Sequence, residues 1–581
     1  MDGYVLLSPA ATKAAQSTLA RNGWTKARAT SSAALFVRPY TPVRDFGSAW
    51  IVGDLYSRGA PGPAPAVLEP KTTTASPEAV VEALLSGWWG RYVALFPHEA
   101  AAFRDPSGHI DCFTWRLADG WAAASEPPDA LPVEAWPLDL AIDWDGLASA
   151  IEDPFASGMV TGLRGLSPLA PGGLRRLGAS PPDRQMWRPA TFAGRPHASY
   201  EASRDAVRSA VREVLQAEAS HGGPLLAEIS GGVDSAIVAT TLASIGASER
   251  TRFINFHIAD PTGDERPFAR AVANQAKIGL EEIAKPELWL DAGALGALPV
   301  GFRPSLNGID RHYDGGVAEQ AMLAGASRIL TGQGGDMVFF QAPSPKVIGE
   351  LWGRWTRRPR ADPLWRQLED AARWNRRSVW SLLGEAIRDA ARPSATGAFR
   401  HPWLEEALAP AKRAQVRMLA RSQAFHGASL RGRQTRLIHP LLHQPVLEAI
   451  LATPVVDLAR HGRGRFLARD AFGDQLPAVV GNRRSKGDLT AYYGRMVVRS
   501  LPALTPFLLD GRLVQQRLVD RAALETLFDP DRLIYQGDYP RLFEIIALEA
   551  FVRHWEGRLG SLAAASAGRE RRAANHGRTS A

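Results

Sequence analysis

The sequence predicts an α/β protein in two parts, a β-rich front and a rear built on a parallel sheet. Three observations predict it. Short strand-like runs separated by Gly, Pro and Ser fill the front. Beyond a Pro-rich stretch, SPPDRQMWRPATFAGRPHAS (Ser180 to Ser199), short apolar strands alternate with helix-length segments, the pattern of a parallel sheet covered on both faces. Two glycine-rich turns, SGGVDS and TGQGGD, each follow an apolar strand in that rear part.

Taken in order, AALFVRPY, SAWIVGDLYS, GRYVALFP and HIDCFTWRL read as strands of a front domain over residues 1–190, with PEAVVEALLSGWW as a helix between them. The rear domain is expected over residues 200–560. Its helix at Tyr200–Ser220 precedes the strand LLAEIS, then SAIVATTLASIGA, RFINFHIA, ERPFARAVANQAKIG and EEIAKPE, and later GGVAEQAMLAGA and SRILTGQGGD. From Ser344 to about Ala395 the chain reads as helical, basic and tryptophan-rich. Basic residues interleaved with aromatics suit nucleic acid, but a helical layer packed by Trp and solvated by Arg accounts for the same residues, so no nucleic-acid partner is expected. Residues 561–581 lack large apolar side chains and are expected to be a disordered tail.

Composition narrows the class. A length of 581 residues exceeds one ordinary domain, and 45% hydrophobic with 22% charged residues is the balance of a globular protein. No window holds the roughly 18 consecutive apolar residues of a membrane span, and MDGYVLLSPAATK lacks the pattern of a signal peptide. A single cysteine, Cys112, excludes an internal disulfide and a cysteine-rich metal site, so a cytoplasmic location is expected. The net charge of +8 comes from 60 Arg and 8 Lys against 60 acidic residues. That skew alone assigns no partner.

The first turn carries chemistry. A parallel strand ending in a glycine turn and running straight into a helix sets free N–H groups at the carboxyl edge of a sheet, where anions bind. Ser230 ends the strand, Gly231 and Gly232 let the backbone curl against an oxyanion, and Ser235 offers a hydroxyl. Asp234 would repel phosphate unless a divalent cation lay between them, which points to Mg²⁺. A plain turn with an N-cap uses similar residues; strand, turn and helix in the required order favour the anion site.

The pattern SGGxDS after a buried strand resembles the pyrophosphate-loop ATP enzymes, and the resemblance implies transfer of AMP from ATP with pyrophosphate leaving. LTGQGGDMVF (Leu330 to Phe339) resembles the SGxGxD segment of asparagine-synthetase-type enzymes. It implies that Asp336 joins Asp234 on Mg²⁺ and that Gly332 and Gly334 shape the nucleotide site. RFINFHIA looks like the second sheet strand, which would line the adenosine pocket with Phe256, while Asp264 and Glu265 either support the site or cap the next helix. LPAVVGNRRSKGDLTAYY (Leu476 to Tyr493) resembles the segment in which this superfamily carries an essential lysine, making Lys486 the catalytic candidate, with Arg483 and Arg484 near phosphate. A lysine can act as an acid or base where a guanidinium cannot. IHPLLHQPVLEAIL resembles the family's proline-containing segment at the far side of the sheet, and His439 and His443 read as structural.

GDLYSR, WGRYVALF and RDPSG resemble strands of the same family's Ntn-type glutaminase domain, which implies a degenerate front domain. Glutaminases of this type need a cysteine after the initiator methionine; Asp2 stands there. The amine is then implied to come from the substrate, as in β-lactam synthetases and lasso peptide cyclases. Gln333 stands where the β-lactam branch has a tyrosine, and its partner glutamate is not identified, so the lasso branch fits better. That resemblance implies ATP and Mg²⁺, a leader-free precursor peptide joined through an Asp or Glu side chain to its own N-terminal amine, and a leader peptidase and a leader-recognition protein as partners. The alternative is an asparagine- or β-lactam-synthetase-like ligase that joins a small acid to an amine not drawn from glutamine.

Overall fold

A computed structural model of the chain describes every residue except 1, 60–61, 63–66, 69–75, 130, 154–158, 179–182, 287–288, 342–344, 358–361, 392–400, 485–486 and 580–581. The front is a pair of largely antiparallel sheets packed face to face. One has six strands, with Tyr4–Leu7 between Gly120–Ala124 and Ala34–Val37; the other has seven, with Ala49–Ser57 and Trp88–Phe96 at its centre. Strand alternation explains why runs such as YVLL are apolar throughout. Tyr4 and Leu6 point into the layer between the sheets with Val52, Val93 and Leu95, while Val5 and Leu7 point outward under the helix Pro9–Arg21. The helix Pro77–Gly87 covers the outer face of the second sheet through Val80, Val81 and Leu84.

The later part of the Pro-rich stretch is built into the fold. Arg184–Gln185 pairs with the strand Gly173–Arg176, and Trp187 is buried against Trp403, with ring centroids 5.1 Å apart.

The rear sheet is parallel and five-stranded. In chain order its strands are Leu225–Glu228, Thr251–His257, Glu281–Ala284, Arg328–Leu330 and Arg436–Ile438; across the sheet they run third, second, first, fourth, fifth. The order reverses between the first and fourth strands. In an open α/β sheet, ligands bind at such a switch point, outside the carboxyl ends of the strands. Both glycine-rich turns leave strands at that point.

Helices cover both faces. Tyr200–Ala219, Val233–Ser244 and Arg266–Ala276 pack on one side with Ala227, Ile229 and Phe253, and Arg311–Leu323 packs on the other with Leu226 and Ile254. Val233–Ser244 is buried almost all round, which is why its sequence shows no polar face. The tryptophan-rich segment forms the helices Pro345–Arg357, Asp362–Trp374 and Val379–Ala391, tied together by rings of Trp352, Trp355, Trp365 and Trp380. The final helix, Tyr539–Thr579, lends Ile546, Phe551 and Trp555 to the core beneath the first front sheet, so front and rear share buried side chains. It also runs through the segment expected to be a disordered tail: alanine-rich sequence extends the helix after its apolar contacts end. Among the described residues no helix is long and apolar enough to cross a membrane.

Candidate functional site at the switch point

The first turn is closed by its own serines. Ser235 Oγ accepts from the Ser230 N–H at 3.1 Å, lies 3.0 Å from Ser230 Oγ, and donates to the Gly232 carbonyl at 3.1 Å. Gly231 adopts φ +76°, and a Cβ there would stand 2.9 Å from the Glu265 carbonyl oxygen, so glycine is required on both counts. The helix that follows has Gly232 as its N-cap residue and no capping side chain, which leaves its first-turn N–H groups directed at the sheet edge.

The second turn sits on the first. A Cβ on Gly332 would lie 2.7 Å from the Asp234 carbonyl carbon, and one on Gly335 would lie 2.5 Å from Asp234 Cγ. Bare backbone from one loop thus packs on Asp234 from the other, with Asp336 the next residue. Gly334 takes φ +86° against Leu442. Phe256 stands on the face covered by Arg311–Leu323, edge-on to Tyr313 with ring centroids 5.7 Å apart.

Arginines crowd this junction. Arg465 Nη2 lies 3.1 Å from Asp234 Oδ2. Arg463 and Arg469 both donate to the Gly481 carbonyl, at 2.5 Å and 2.7 Å. Burial first, then the neighbouring Arg463 and Arg465, push Arg469 down to about 10, with Asp234 opposing the shift. Arg483 lies over the Phe268 ring, reaches the Gly231 carbonyl at 3.4 Å and pairs with Glu265. Glu265 therefore supports the loop, and Asp264 binds the N–H and side chain of Arg266.

A second group lies beside the first glycine turn. Tyr313 donates to Glu228 at 2.5 Å, and Arg431 donates to the Tyr313 oxygen at 3.0 Å and to Gln333 at 3.1 Å. Burial and the Glu228 carboxylate push the Tyr313 phenol up, so it stays a donor. Lys285, at the end of its strand, pairs with Asp310, which also accepts from Tyr493 at 2.9 Å.

Of the residues singled out in sequence, the fold brings Ser230, Gly231, Gly232, Asp234, Ser235, Gly332, Gly334 and Asp336 to one edge, with Phe256 beside them; Lys486 lies outside the described residues. Sequence reasoning missed Arg465, Arg469 and the Glu228–Tyr313–Arg431 group. One signal was present: Glu228 is a lone charge in the otherwise apolar strand LLAEIS. The arginines gave none, because only tertiary folding brings them to the loop.

His439 and His443 are buried, and His439 Nδ1 lies 2.8 Å from Thr331 Oγ1. No group of three or more potential metal ligands occurs among the described residues. In the front domain Asp2 is clasped by Arg91 at 2.5 Å and Arg436 at 2.9 Å. Burial opposes its ionisation, and the two guanidinium groups outweigh burial, holding its carboxyl below the usual range. Cys112 is buried, and burial pushes its thiol up to about 11.

No curated protein matches the chain. The family model for asparagine synthase matches residues 202–553, more than half of the sequence, and the match spans the parallel sheet, both glycine turns and the arginine cluster. With a nucleotide-type loop at the switch point and that match, the chain belongs to the asparagine synthase family and is an ATP-dependent, AMP-forming carbon–nitrogen ligase.

Proposed function

We propose that the protein is a lasso peptide macrolactam synthetase, which adenylates an Asp or Glu side chain of a leader-free peptide and closes it onto the peptide's own N-terminal amine. The observation that carries this reading is the clasp on Asp2. Where a glutaminase of this family would need a thiol, a carboxylate is locked between Arg91 and Arg436, and the sequence's one cysteine is buried with its thiol raised to about 11. Among the described residues of the front domain no thiol stands beside Asp2 to attack glutamine, while the rear domain keeps both loops. The amine then comes with the acid.

A free carboxylate is inert to amines, so activation is the hard step. A carboxylate oxygen of the peptide attacks the α-phosphorus of ATP and pyrophosphate leaves. The Ser230–Ser235 loop and the helix N-terminus hold the departing phosphates by N–H donors, and Arg465, Arg469 and Arg483 supply positive charge as negative charge builds there. Asp234 and Asp336 are carboxylates of the type that Mg²⁺ takes alongside phosphate oxygens and water, and the contact of Gly335 with Asp234 sets the two loops together. Bound there, Mg²⁺ would neutralise phosphate charge.

The peptide amine attacks the acyl-adenylate carbonyl, the amide forms and AMP leaves. An α-amino group titrates near 8, so part of it is already neutral. Glu228, held by Tyr313 and Arg431, is the carboxylate beside the loop that takes up the amine's proton. Lys486 stabilises the oxyanion and pyrophosphate. Holding acid and amine in one pocket makes the attack unimolecular, an advantage of up to ~7–11 kcal/mol.

An isotope experiment tests the route. A peptide carrying ¹⁸O in its acceptor carboxylate passes one ¹⁸O to AMP, and added glutamine leaves the rate unchanged. Label in phosphate, or closure dependent on glutamine, contradicts the reading.

A further inference from the structure

A cavity of about 630 Å³ lies between the front domain and the rear sheet, apart from the two glycine turns. Asp2 is at its floor; its walls come from the loops around Asp111 and Glu126, from Val300–Arg303, from the segment 426–437 and from the last helix. A volume of this size suits a small molecule or the end of a peptide.

Its charge is uneven. Six arginines face four carboxylates. Asp2 is taken by Arg91 and Arg436, Asp111 by Arg303 at 3.0 Å, and Glu126 by Arg38 at 2.9 Å, with Asp129 at the rim sharing Arg38. Arg433 and Arg558 donate to main-chain carbonyls, of Val300 at 3.4 Å and of Pro128. Arg558 is held over the rings of Trp136 and Trp555, at 5.0 Å and 5.2 Å, a placement that fixes its fork without neutralising it. Burial and these two guanidinium groups lower the basicity of His554 beside them. Deeper in, His109 Nδ1 and His426 Nε2 are buried and meet no hydrogen-bonding partner among the described residues. Two arginines in surplus above neutral imidazoles make a receptor for an anion with further polar atoms.

We propose that this cavity is a carboxylate-binding site, in which Arg433 and Arg558 grip the carboxylate of a small dicarboxylic acid or of an acidic peptide end and the histidines below meet its remaining polar atoms. Planar guanidinium forks bind planar carboxylates by paired hydrogen bonds, which a point cation does not reproduce. The seam between the front and rear domains then serves as a binding site on the synthetase. The inference does not depend on the macrolactam reading, because it concerns binding without ATP.

Calorimetric titration of the full chain with succinate, with its neutral isostere succinamide, and with a penta-aspartate peptide tests it. Succinate or the peptide binds and succinamide does not; which of the two binds more tightly identifies the source of the carboxylate. Arg433→Gln weakens binding by about 10- to 100-fold and Arg433→Lys restores part of it, while ATP–pyrophosphate exchange is unchanged. Arg558→Gln has the same effect on binding. Should Arg558→Gln lose its Trp contacts and fail to fold, Arg433→Gln, on an exposed side chain, decides alone. Absence of binding by either acid at millimolar concentration, equal binding of succinamide, or wild-type affinity in Arg433→Gln overturns the proposal.

Discussion

Asp234 Oδ2 and Arg465 Nη2 stand 3.1 Å apart, so the aspartate of the first glycine turn is held by a residue far along the chain. Arg465 caps the helix Phe466–Ala471 in a left-handed conformation, φ +57°, and its N–H donates to the Phe340 carbonyl just beyond the second turn. One residue therefore connects both loops. Arg465→Met is expected to lower ATP–pyrophosphate exchange about 10²- to 10³-fold, the usual cost of losing one aimed charge, with Arg465→Lys intermediate. Exchange at the wild-type rate in Arg465→Met would remove this residue from the site.

The contact of Gly335 with Asp234 makes a second expectation. Gly335→Ala forces a Cβ to within 2.5 Å of Asp234 Cγ and pushes the loops apart, at a cost of about 1–3 kcal/mol. Gly279→Ala, where an added Cβ meets nothing within 4 Å, is the control. Thermal melting and exchange measured together should show both falling in the first variant and neither in the second.

These loops also mark what sequence reveals. SGGVDS and TGQGGD are local patterns, each compelled by a strand-to-helix turn that only glycine can make, so both were legible, as were four of the five strands of the parallel sheet; the fifth, Arg436–Ile438, was not. Arg465 and Arg469 were not: 60 arginines dilute any one of them, and nothing near HGRGRFLARD says which loop it will meet. Tyr313 likewise reaches Glu228 only because the helix Arg311–Leu323 begins over the carboxyl edge of the sheet. The tail read as disordered because it lacks apolar residues, yet backbone propensity carries the helix past its last contacts.

Buried histidines set a pH limit on stability. Burial, with Arg431 and Arg91 as the next causes, lowers His439 and His443 to about 3, and His109 and His426 shift the same way. Their unfolded value is 6.5, so between about 3 and 6.5 the unfolded chain binds more protons than the folded one. Stability therefore rises with pH through that window and is lost as pH falls from 6.5. The melting temperature should drop steeply below pH 6, and His443→Gln should flatten the slope by about one proton. A melting temperature constant between pH 7 and 4 would refute neutral burial.

Adenylation and amide formation should separate by mutation. Glu228→Gln is expected to retain ATP–pyrophosphate exchange and slow amide formation about 10²-fold, as for loss of a general base, whereas Lys486→Met abolishes closure. A fully active Lys486→Met protein would strike that residue from the assignment.

The most direct measurement of the central claim is the product balance of one reaction. Purified protein, ATP, Mg²⁺ and a leader-free peptide should yield one AMP and one pyrophosphate for each peptide made lighter by one water, with the Asp or Glu side chain and the N-terminus both blocked. ADP in place of AMP, or a lighter peptide whose N-terminal amine is still free, would contradict the account.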